Sequence, residues 1–434
     1  MTATSELLQR WAGMGPDALE AQINGPDSAP LQALFDPQEL AEMREIASAP
    51  RLTSAGGQRP NIVLLPGIMG SLLQSVEGLI DSLWINPLIF ARGHINLLDM
   101  AEDGEGDADQ RVKIVATGLE MVAYGKAMLA LRKQSNLYLF PYDWRQDIRI
   151  CAGRLHEALA RWTAANGHRR FTLVGHSLGG VVARTYLSMF PGEAEELVER
   201  VVLLASPAYG AIGVVQVLAS GNALTQMAEK LHPGNQGVRL ARTVTALYQI
   251  MPPPPELFPA GLEYPCDFDV YDDAVWQKPG IRPNSLSRSR ALYQLLATSS
   301  AQVPISQIAG YDVATAVALR GTPDALGPVI VSHGPNSGDG SVPLWSARLA
   351  GAEMYYVRLP HEKLQKDRNV LLGVLDLAHG GAADLPREME TSRGPVSAAL
   401  PPILDMDVEA ARLRAAIEGG TATGSDLEKL YLMR

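Results

Sequence analysis

At 434 residues the chain can bury a large core, with room for one large domain carrying insertions or for two domains. Its 37 basic residues are outnumbered by 47 acidic ones, a net charge of -10 that argues against nucleic acid and against electrostatic docking on an anionic membrane. The two cysteines, Cys151 and Cys266, stand far apart and in no C-x-x-C pattern, so neither a disulfide framework nor a zinc cluster is expected.

From Met1 to Arg10 no basic stretch is followed by an apolar one, and no uncharged apolar run reaches the roughly 18 residues that a membrane span needs. The expectation is a chain without secretory signal or transmembrane segment, cytoplasmic by default, with export by another route left open. Residues 1–58 read as a helical preface. Within it Asp36 is the expected N-cap, Pro37 the first helical position and Glu39 the partner that closes a capping box, while Leu40, Met43 and Ile46 form a packing face. Ser54-Ala55-Gly56-Gly57 marks a linker.

From Ile62 onward short β-branched runs, at 62–65, 112–115, 137–140, 171–174 and 201–204, alternate with helical stretches. That rhythm predicts an α/β fold with a mostly parallel sheet flanked by helices. A helix over 147–165 would bury Ile148, Cys151, Leu155, Leu159 and Trp162 at a period near 3.6, with Gly167 as its stop. The run 171–174 then passes through Gly175-His176-Ser177-Leu178-Gly179-Gly180 into a helical pattern over 181–190. This is the spelling of a nucleophile elbow. A serine on a strained strand-to-helix turn needs small residues two positions to either side, which Gly175 and Gly179 provide, and a helix N-terminus favours the negative charge that develops there. A glycine-rich turn without chemistry is the competing reading, but no G-x-G-x-x-G follows a strand.

Residues 207–300 interrupt the alternation with Gly, amphipathic pieces and Pro252-Pro253-Pro254-Pro255, and read as a helical cap or lid inserted after the elbow. Strand rhythm returns at 305–308, 329–331 and 354–357, followed by a helix over 362–377. The expected organisation is a preface at 1–58, a core at 59–206 and 301–380, a cap at 207–300, and a loosely attached C-terminal tail at 381–434 with one short helix over 408–417.

A serine nucleophile at neutral pH needs a general base, and the base needs an orienting carboxylate. In a fold with this elbow the order is Ser, then Asp or Glu, then His. Of the eight histidines, His94, His156 and His168 precede the serine, His176 adjoins it, and His232 lies in the cap. Asp339, in Gly338-Asp339-Gly340-Ser341-Val342-Pro343 after the run 329–331, is the expected orienting acid. His361, in Leu359-Pro360-His361 after 354–357, is the expected base. His333 precedes Asp339, and the pair Asp376 with His379 stays open as an alternative, with His379 reading otherwise as a helix C-cap. For the oxyanion hole, the Leu178 N–H follows the nucleophile, and Leu64-Leu65-Pro66-Gly67-Ile68-Met69-Gly70-Ser71 offers a second donor at Ile68, with Met69 as neighbour.

Taken together, Pro66-Gly67-Ile68-Met69-Gly70-Ser71, Pro141-Tyr142-Asp143-Trp144-Arg145, Gly175-His176-Ser177-Leu178-Gly179-Gly180 and Gly338-Asp339-Gly340-Ser341-Val342-Pro343 resemble the successive motifs of the lecithin:cholesterol acyltransferase family. Tyr248-Gln249-Ile250-Met251-Pro252 is similar to that family's insertion, and the likeness runs from about residue 61 to 377. The resemblance implies an α/β-hydrolase fold with cap insertions, a triad of Ser177, Asp339 and His361, an oxyanion hole at Ile68 and Leu178, and ester-lipid substrates. The absence of the animal members' cysteine pairs and signal argues against carrying over a lipoprotein partner or a sterol acceptor. The motif from Pro141 to Arg145 suggests an Asp-Arg pair and a buried Trp under the site rather than a chemical role.

The functional expectation is a serine esterase, lipase or phospholipase A acting through an acyl-enzyme on Ser177. Lipid O-acyl transfer by the same triad and a non-catalytic binding protein on the same fold are the alternatives. The partners expected are a lipid or small-ester substrate and transient contact with a lipid surface, without nucleic acid; no cofactor and no metal are expected. The acidic stretches 103–109 and 267–273 lack EF-hand spacing and read as solvated loops.

Overall fold

Six strands, β1 (Asn61–Leu65), β5 (Asn136–Leu139), β6 (Phe171–His176), β7 (Val198–Leu204), β8 (Ile305–Gly310) and β11 (Glu353–Val357), form one sheet in the order β11-β8-β7-β6-β1-β5. Every neighbouring pair in it is parallel. The computed structural model describes residues 14–25, 29–32, 34–51, 59–77, 82–167, 169–390, 405–423, 425–426 and 430. The linker Ser54-Ala55-Gly56-Gly57 and His168 lie outside the described residues. The central strands β1 and β6 are buried at every position, whereas the edge strands β5 and β11 are mostly half-buried. A parallel sheet covered on both faces selects continuous apolar runs, and this is why the expected strands at 62–65, 137–140, 171–174, 201–204, 305–308 and 354–357 fall where they do.

Two of the expected strands belong elsewhere. The run 112–115 contributes only its end to β4 (Ile114–Leu119), which joins β2 (Ser71–Ser75) and β3 (Ser82–Trp84) in a separate antiparallel sheet ordered β3-β2-β4. The run 329–331 closes β10 (Ala325–Val331), which pairs antiparallel with β9 (Thr315–Thr322) in a hairpin outside the main sheet. Its Val329 and Ile330 are exposed. A short β-branched run marks extended chain but carries no information on which strand it will pair with, so both were misplaced.

Among the described residues ten helices have nine residues or more: α1 (Pro16–Asn24), α2 (Pro37–Ser48), α3 (Met121–Gln134), α4 (Ile148–Asn166), α5 (Leu178–Met189), α6 (Ile212–Ser220), α7 (Ala223–Leu231), α8 (Pro283–Ala297), α9 (Arg368–Ala378) and α10 (Met406–Gly419). Helix α4 starts on the Asp147 side chain, which accepts from Arg149 N, and ends at Gly167 in the left-handed region at φ 76°. Between β7 and β8 the chain is helical, with α6, α7 and α8 its longest pieces. The helix expected over 362–377 is broken: a turn at His361–Leu364 precedes α9, whose own N-cap is Asp367. Helix α10 packs against α7 and the short helix Pro87–Ala91, with Leu413 and Ile417 buried, so this part of the C-terminal stretch is docked rather than loose. Among the described residues no helix is long and apolar enough to cross a membrane.

The sheet's connectivity decides where a site can form. From β1 the chain reaches β5 on one side of it, and α4 then returns it to β6 on the other side. Winding reverses between β1 and β6, so the loops leaving their carboxyl ends diverge and open a crevice there.

The preface is fixed to α3 by buried lysines. The Lys133 ammonium, about 8 % exposed, donates to Glu20 Oε1 at 2.9 Å and to the carbonyls of Ala47 and Ala49 at 2.7 and 2.6 Å. Lys126 pairs with Glu42, and Lys366 lies 3.2 Å from Glu39 Oε1. Asp36 caps α2 as expected, accepting from Gln38 N and Glu39 N, but no capping box forms, because Lys366 draws the Glu39 carboxylate away from the helix end. Burial raises the Glu20 carboxyl, but Lys133 and Arg51 outweigh it; Lys126 holds Glu42 below the usual range against its burial. Such depressed carboxylates stabilise the fold above the ordinary carboxylate pKa, and that contribution is lost as pH falls through their lowered values. Glu20→Gln should therefore cost about 1–3 kcal/mol, since Lys133 keeps its two carbonyls but loses its counter-charge. Urea unfolding at pH 7 measures the loss, which should shrink in acid.

Candidate active site

The crevice between β1 and β6 is occupied by the elbow. Ser177 has φ 53° and ψ -121°, a conformation a side chain adopts only under constraint. The constraint is close packing of backbone. A Cβ on Gly175 would sit 2.5 Å from Gly180 Cα and N, and one on Gly179 would collide with the Leu65 carbonyl. Ser177 N–H donates to Leu204 O at 2.8 Å, its carbonyl accepts from Gly180 N at 3.0 Å, and its side chain takes no part in capping α5. The serine is about 9 % exposed.

The loop after β1 lies directly against this turn. A Cβ on Gly67 would come 3.0 Å from Ser177 Cβ and 3.1 Å from His176 Nδ1. Gly67 O accepts from Gly70 N at 3.1 Å, so Ile68 and Met69 are the central residues of a tight turn, Met69 at φ 62°. Trp84 Nε1 fixes it by donating to Met69 O at 2.7 Å. Among the described residues the N–H groups of Ile68 and Leu178 have no protein acceptor. They are the two positions expected for an oxyanion hole.

Asp339 and His361 meet. His361 Nδ1 lies 2.8 Å from Asp339 Oδ2, while Oδ1 accepts from Ser341 N at 2.9 Å and Val342 N at 2.7 Å. His361 N–H also donates to Asp339 O at 2.9 Å. Because the Asp339 carboxylate, at 1 % exposure, can only accept, His361 Nδ1 is the donor in this pair. Both loops converge on Gly310, the last residue of β8, where a Cβ would lie 2.6 Å from Asp339 Cβ and from Leu359 O. Asp339 thus reaches the carboxyl end of the main sheet through β8, although the strand before it is in the hairpin.

The remaining histidines take other places. His379 is the C-cap of α9, its Nδ1 2.7 Å from Leu375 O, as its alternative reading supposed. His156 stacks on Phe190 at 4.1 Å between ring centroids. His333, about 42 % exposed, lies 2.8 Å from the fully buried Asp312, whose other oxygen accepts from Arg358 Nε at 2.9 Å. This second His-Asp pair ties the segment before Asp339 to the one before His361.

Two residues that the sequence did not single out complete the surroundings. His176, buried, faces Tyr124 Oη with its Nδ1 at 2.8 Å and the His361 carbonyl with its Nε2 at 3.3 Å. Tyr124 Oη accepts from Gly67 N at 2.7 Å. His176 stood in view inside the elbow, but nothing local to Tyr124 marks a contact 52 residues along the chain.

The motif from Pro141 to Arg145 braces the loop after β1. Tyr142 Oη donates to Pro66 O at 2.6 Å, Tyr142 N to Ser71 Oγ at 3.0 Å, and Trp144 Nε1 to Ser71 O at 3.2 Å. Arg145 is buried and spans Asp143, Asp107 and the Leu98 carbonyl at 2.7, 2.8 and 3.0 Å. Asp107, in a stretch expected to be solvated, instead accepts from Arg145 and from Ile114 N, because a buried guanidinium draws carboxylates inward. Among the described residues no group of three or more His, Cys, Asp or Glu could hold a metal ion.

Residues 118–286 match the family model of lecithin:cholesterol acyltransferase. The expected family likeness is there. The matched stretch holds Tyr124, the Asp143-Arg145 pair and the elbow, and ends before Asp339 and His361. The chain is similar to lecithin-cholesterol acyltransferase-like 4 of Arabidopsis thaliana, 23% identical over 189 residues, 36% of this chain and 35% of that protein. The alignment therefore spans about a third of the relative's length. Among solved structures it is similar to one described as the Tle4-Tli4 complex, at 15% identity and TM-score 0.48 over 74% of this chain and 98% of that one. It is also similar to the mature lipase BlEst2 of Bacillus licheniformis, at 15% identity and TM-score 0.34 over 74% and 89%. The sheet order and the elbow identify the fold as that of the α/β-hydrolases.

Burial, with His361 nearby, pushes His176 down to about 3. Its folded value lies below the unfolded one near 6.5, so between these limits the unfolded chain binds more protons and stability falls as pH falls. Wild type should lose up to about 1.4 kcal/mol per pH unit from this group below about pH 6. His176→Gln should flatten that slope in denaturant midpoints measured between pH 4 and 7.

Proposed function

We propose that the protein is a serine hydrolase of carboxylic esters, lipid esters in particular, working through an acyl-enzyme on Ser177. The observation that carries this reading is the His361–Asp339 hydrogen bond of 2.8 Å on a loop hydrogen-bonded to the residue before Ser177. His361 Nε2 takes the Ser177 proton as Oγ attacks the ester carbonyl, and the tetrahedral oxyanion is received by Ile68 N–H and Leu178 N–H. Collapse breaks the ester C–O bond, and the imidazolium of His361 returns the proton to the leaving alkoxide. Water, or an alcohol, then attacks the acyl-enzyme with His361 again as base, releasing the acid or a new ester and restoring the Ser177 hydroxyl. Asp339 holds the tautomer and stabilises the imidazolium.

The lipid preference rests on the family match and on the apolar helical segment between β7 and β8, although Ile212, Val215, Leu218, Met227 and Leu231 of that segment are buried in packing. Acyl transfer to a lipid alcohol is the second reading. It is favoured by the acyltransferase family match and by the low exposure of Ser177, since the partition between acceptors depends on how far water is excluded. Substrates of either kind would bring the enzyme into transient contact with a lipid surface.

p-Nitrophenyl esters from acetyl to palmitoyl, offered in solution and in mixed micelles, test the proposal. Wild type should turn over the longer esters and carry a fluorophosphonate adduct on Ser177 by mass analysis. Ser177→Ala should lose at least about 10³-fold in kcat, and Asp339→Asn about 10²- to 10⁴-fold. Product analysis with a long-chain alcohol present separates the two readings: new ester means transfer, free acid alone means hydrolysis. A wild type that is inactive and unlabelled in every format would instead indicate a binding protein on a hydrolase fold.

A further inference from the structure

We propose that Tyr124 and His176 are positioning residues that lock the oxyanion loop and the base-bearing loop to each other across the elbow; this rests on the function proposed above. The hydrogen-bond directions follow from the number of protons. Tyr124 Oη accepts from Gly67 N–H at 2.7 Å, so its own proton goes to His176 Nδ1 at 2.8 Å. Nδ1 is then the acceptor and Nε2 carries the ring proton of His176, which points at the His361 carbonyl 3.3 Å away. Gly67 adjoins the Ile68 donor, and His361 is the base, so one unbranched chain of three hydrogen bonds links both halves of the site.

Two further observations support the assignment. The chain is polarised in one direction only if Tyr124 is protonated and His176 is neutral. Burial keeps the Tyr124 hydroxyl protonated, and burial together with the facing His361 keeps His176 uncharged through the neutral range. The rings of His176 and His361 have centroids 5.0 Å apart, so a cation at position 176 would oppose the imidazolium that forms on His361 during the reaction. The contact is also sterically specific. A Cβ on Gly67 would stand 3.1 Å from His176 Nδ1 and 3.4 Å from Tyr124 Oη, so the loop sits close against both partners and a side chain there would press on the imidazole.

The proposal separates from ordinary core packing by what each variant keeps. Tyr124→Phe keeps the ring and removes both hydrogen bonds of the hydroxyl. His176→Leu keeps the bulk and removes both links of the imidazole. His176→Gln can offer an amide oxygen to Tyr124 and an amide N–H to the His361 carbonyl. With full-length protein and the best p-nitrophenyl ester, Tyr124→Phe and His176→Leu should each lower kcat by about ten- to a hundredfold, with KM within about twofold. The double variant should be no slower than the slower single, because one broken link already releases the two loops. His176→Gln should stay within about threefold of wild type. Losses that multiply in the double variant would overturn the assignment. So would losses confined to KM or following the melting temperature, or equal losses in His176→Gln and His176→Leu. Wild-type turnover and Ser177 labelling are read in the same series: their absence removes the proposed function and this assignment with it, whereas an active wild type with unaffected variants removes the assignment alone.

Discussion

The site depends on one close approach of backbone to backbone. For Ser177 to stand at positive φ between a strand and a helix, α5 must start almost in contact with β6 and with the end of β1. No side chain fits at Gly175 or Gly179, the one against Gly180 and the other against the Leu65 carbonyl. The helix N-terminus and the loop after β1 are thereby brought to the same point, Gly67 against Ser177 and Gly179 against the Leu65 and Pro66 carbonyls. Because sheet winding reverses between β1 and β6, the next connections lead away from this point instead of covering it.

A loop pressed so closely against the elbow must be supported from behind, and much of the buried polar structure serves this. Tyr142 and Trp144 hold Pro66 and Ser71 at the two ends of the turn, and Trp84 holds Met69 at its centre. Arg145 anchors that support by gathering Asp143, Asp107 and Leu98 O inside the protein. A buried guanidinium so arranged adds little net stability over an apolar equivalent, yet it permits few alternative arrangements of the segments it joins. It joins the segment of Tyr142 and Trp144, which hold the turn, to Asp107 and Leu98.

This division explains what could be read in the sequence. The central strands β1 and β6 were legible because burial at every position writes itself as a nearly continuous apolar run, and the other four followed from β-branched or aromatic residues between helical stretches. The segments 112–115, interrupted by Lys113, and 329–331 are β-branched as well, but antiparallel partners outside the main sheet claimed them. Ser177 was legible because the elbow's steric demand is satisfied by its immediate neighbours. Asp339 and His361 could be proposed from chain order after successive strands, and they lie within hydrogen-bond distance. Tyr124 could not, since its significance lies wholly in contacts of α3 with the last residue of β6 and with the loop after β1. Glu39 is the converse: its local spelling indicated a capping box, while Lys366, 327 residues later, determined its partner.

The two His-Asp pairs differ in what else holds the carboxylate. Asp312 divides its carboxylate between His333 Nδ1 and the Arg358 guanidinium, and its Oδ1 also accepts from Gly334 N. The His333 side chain is also partly open to solvent. At Asp339 one oxygen is held by two peptide N–H groups, which orient the carboxylate without cancelling its charge, and the other faces His361. The Asp339 carboxylate is thus fixed inside the protein with Oδ2 toward His361 Nδ1. What distinguishes the Asp339–His361 pair is a carboxylate oriented by peptide N–H groups, with a neighbouring imidazole, His176, that burial keeps uncharged.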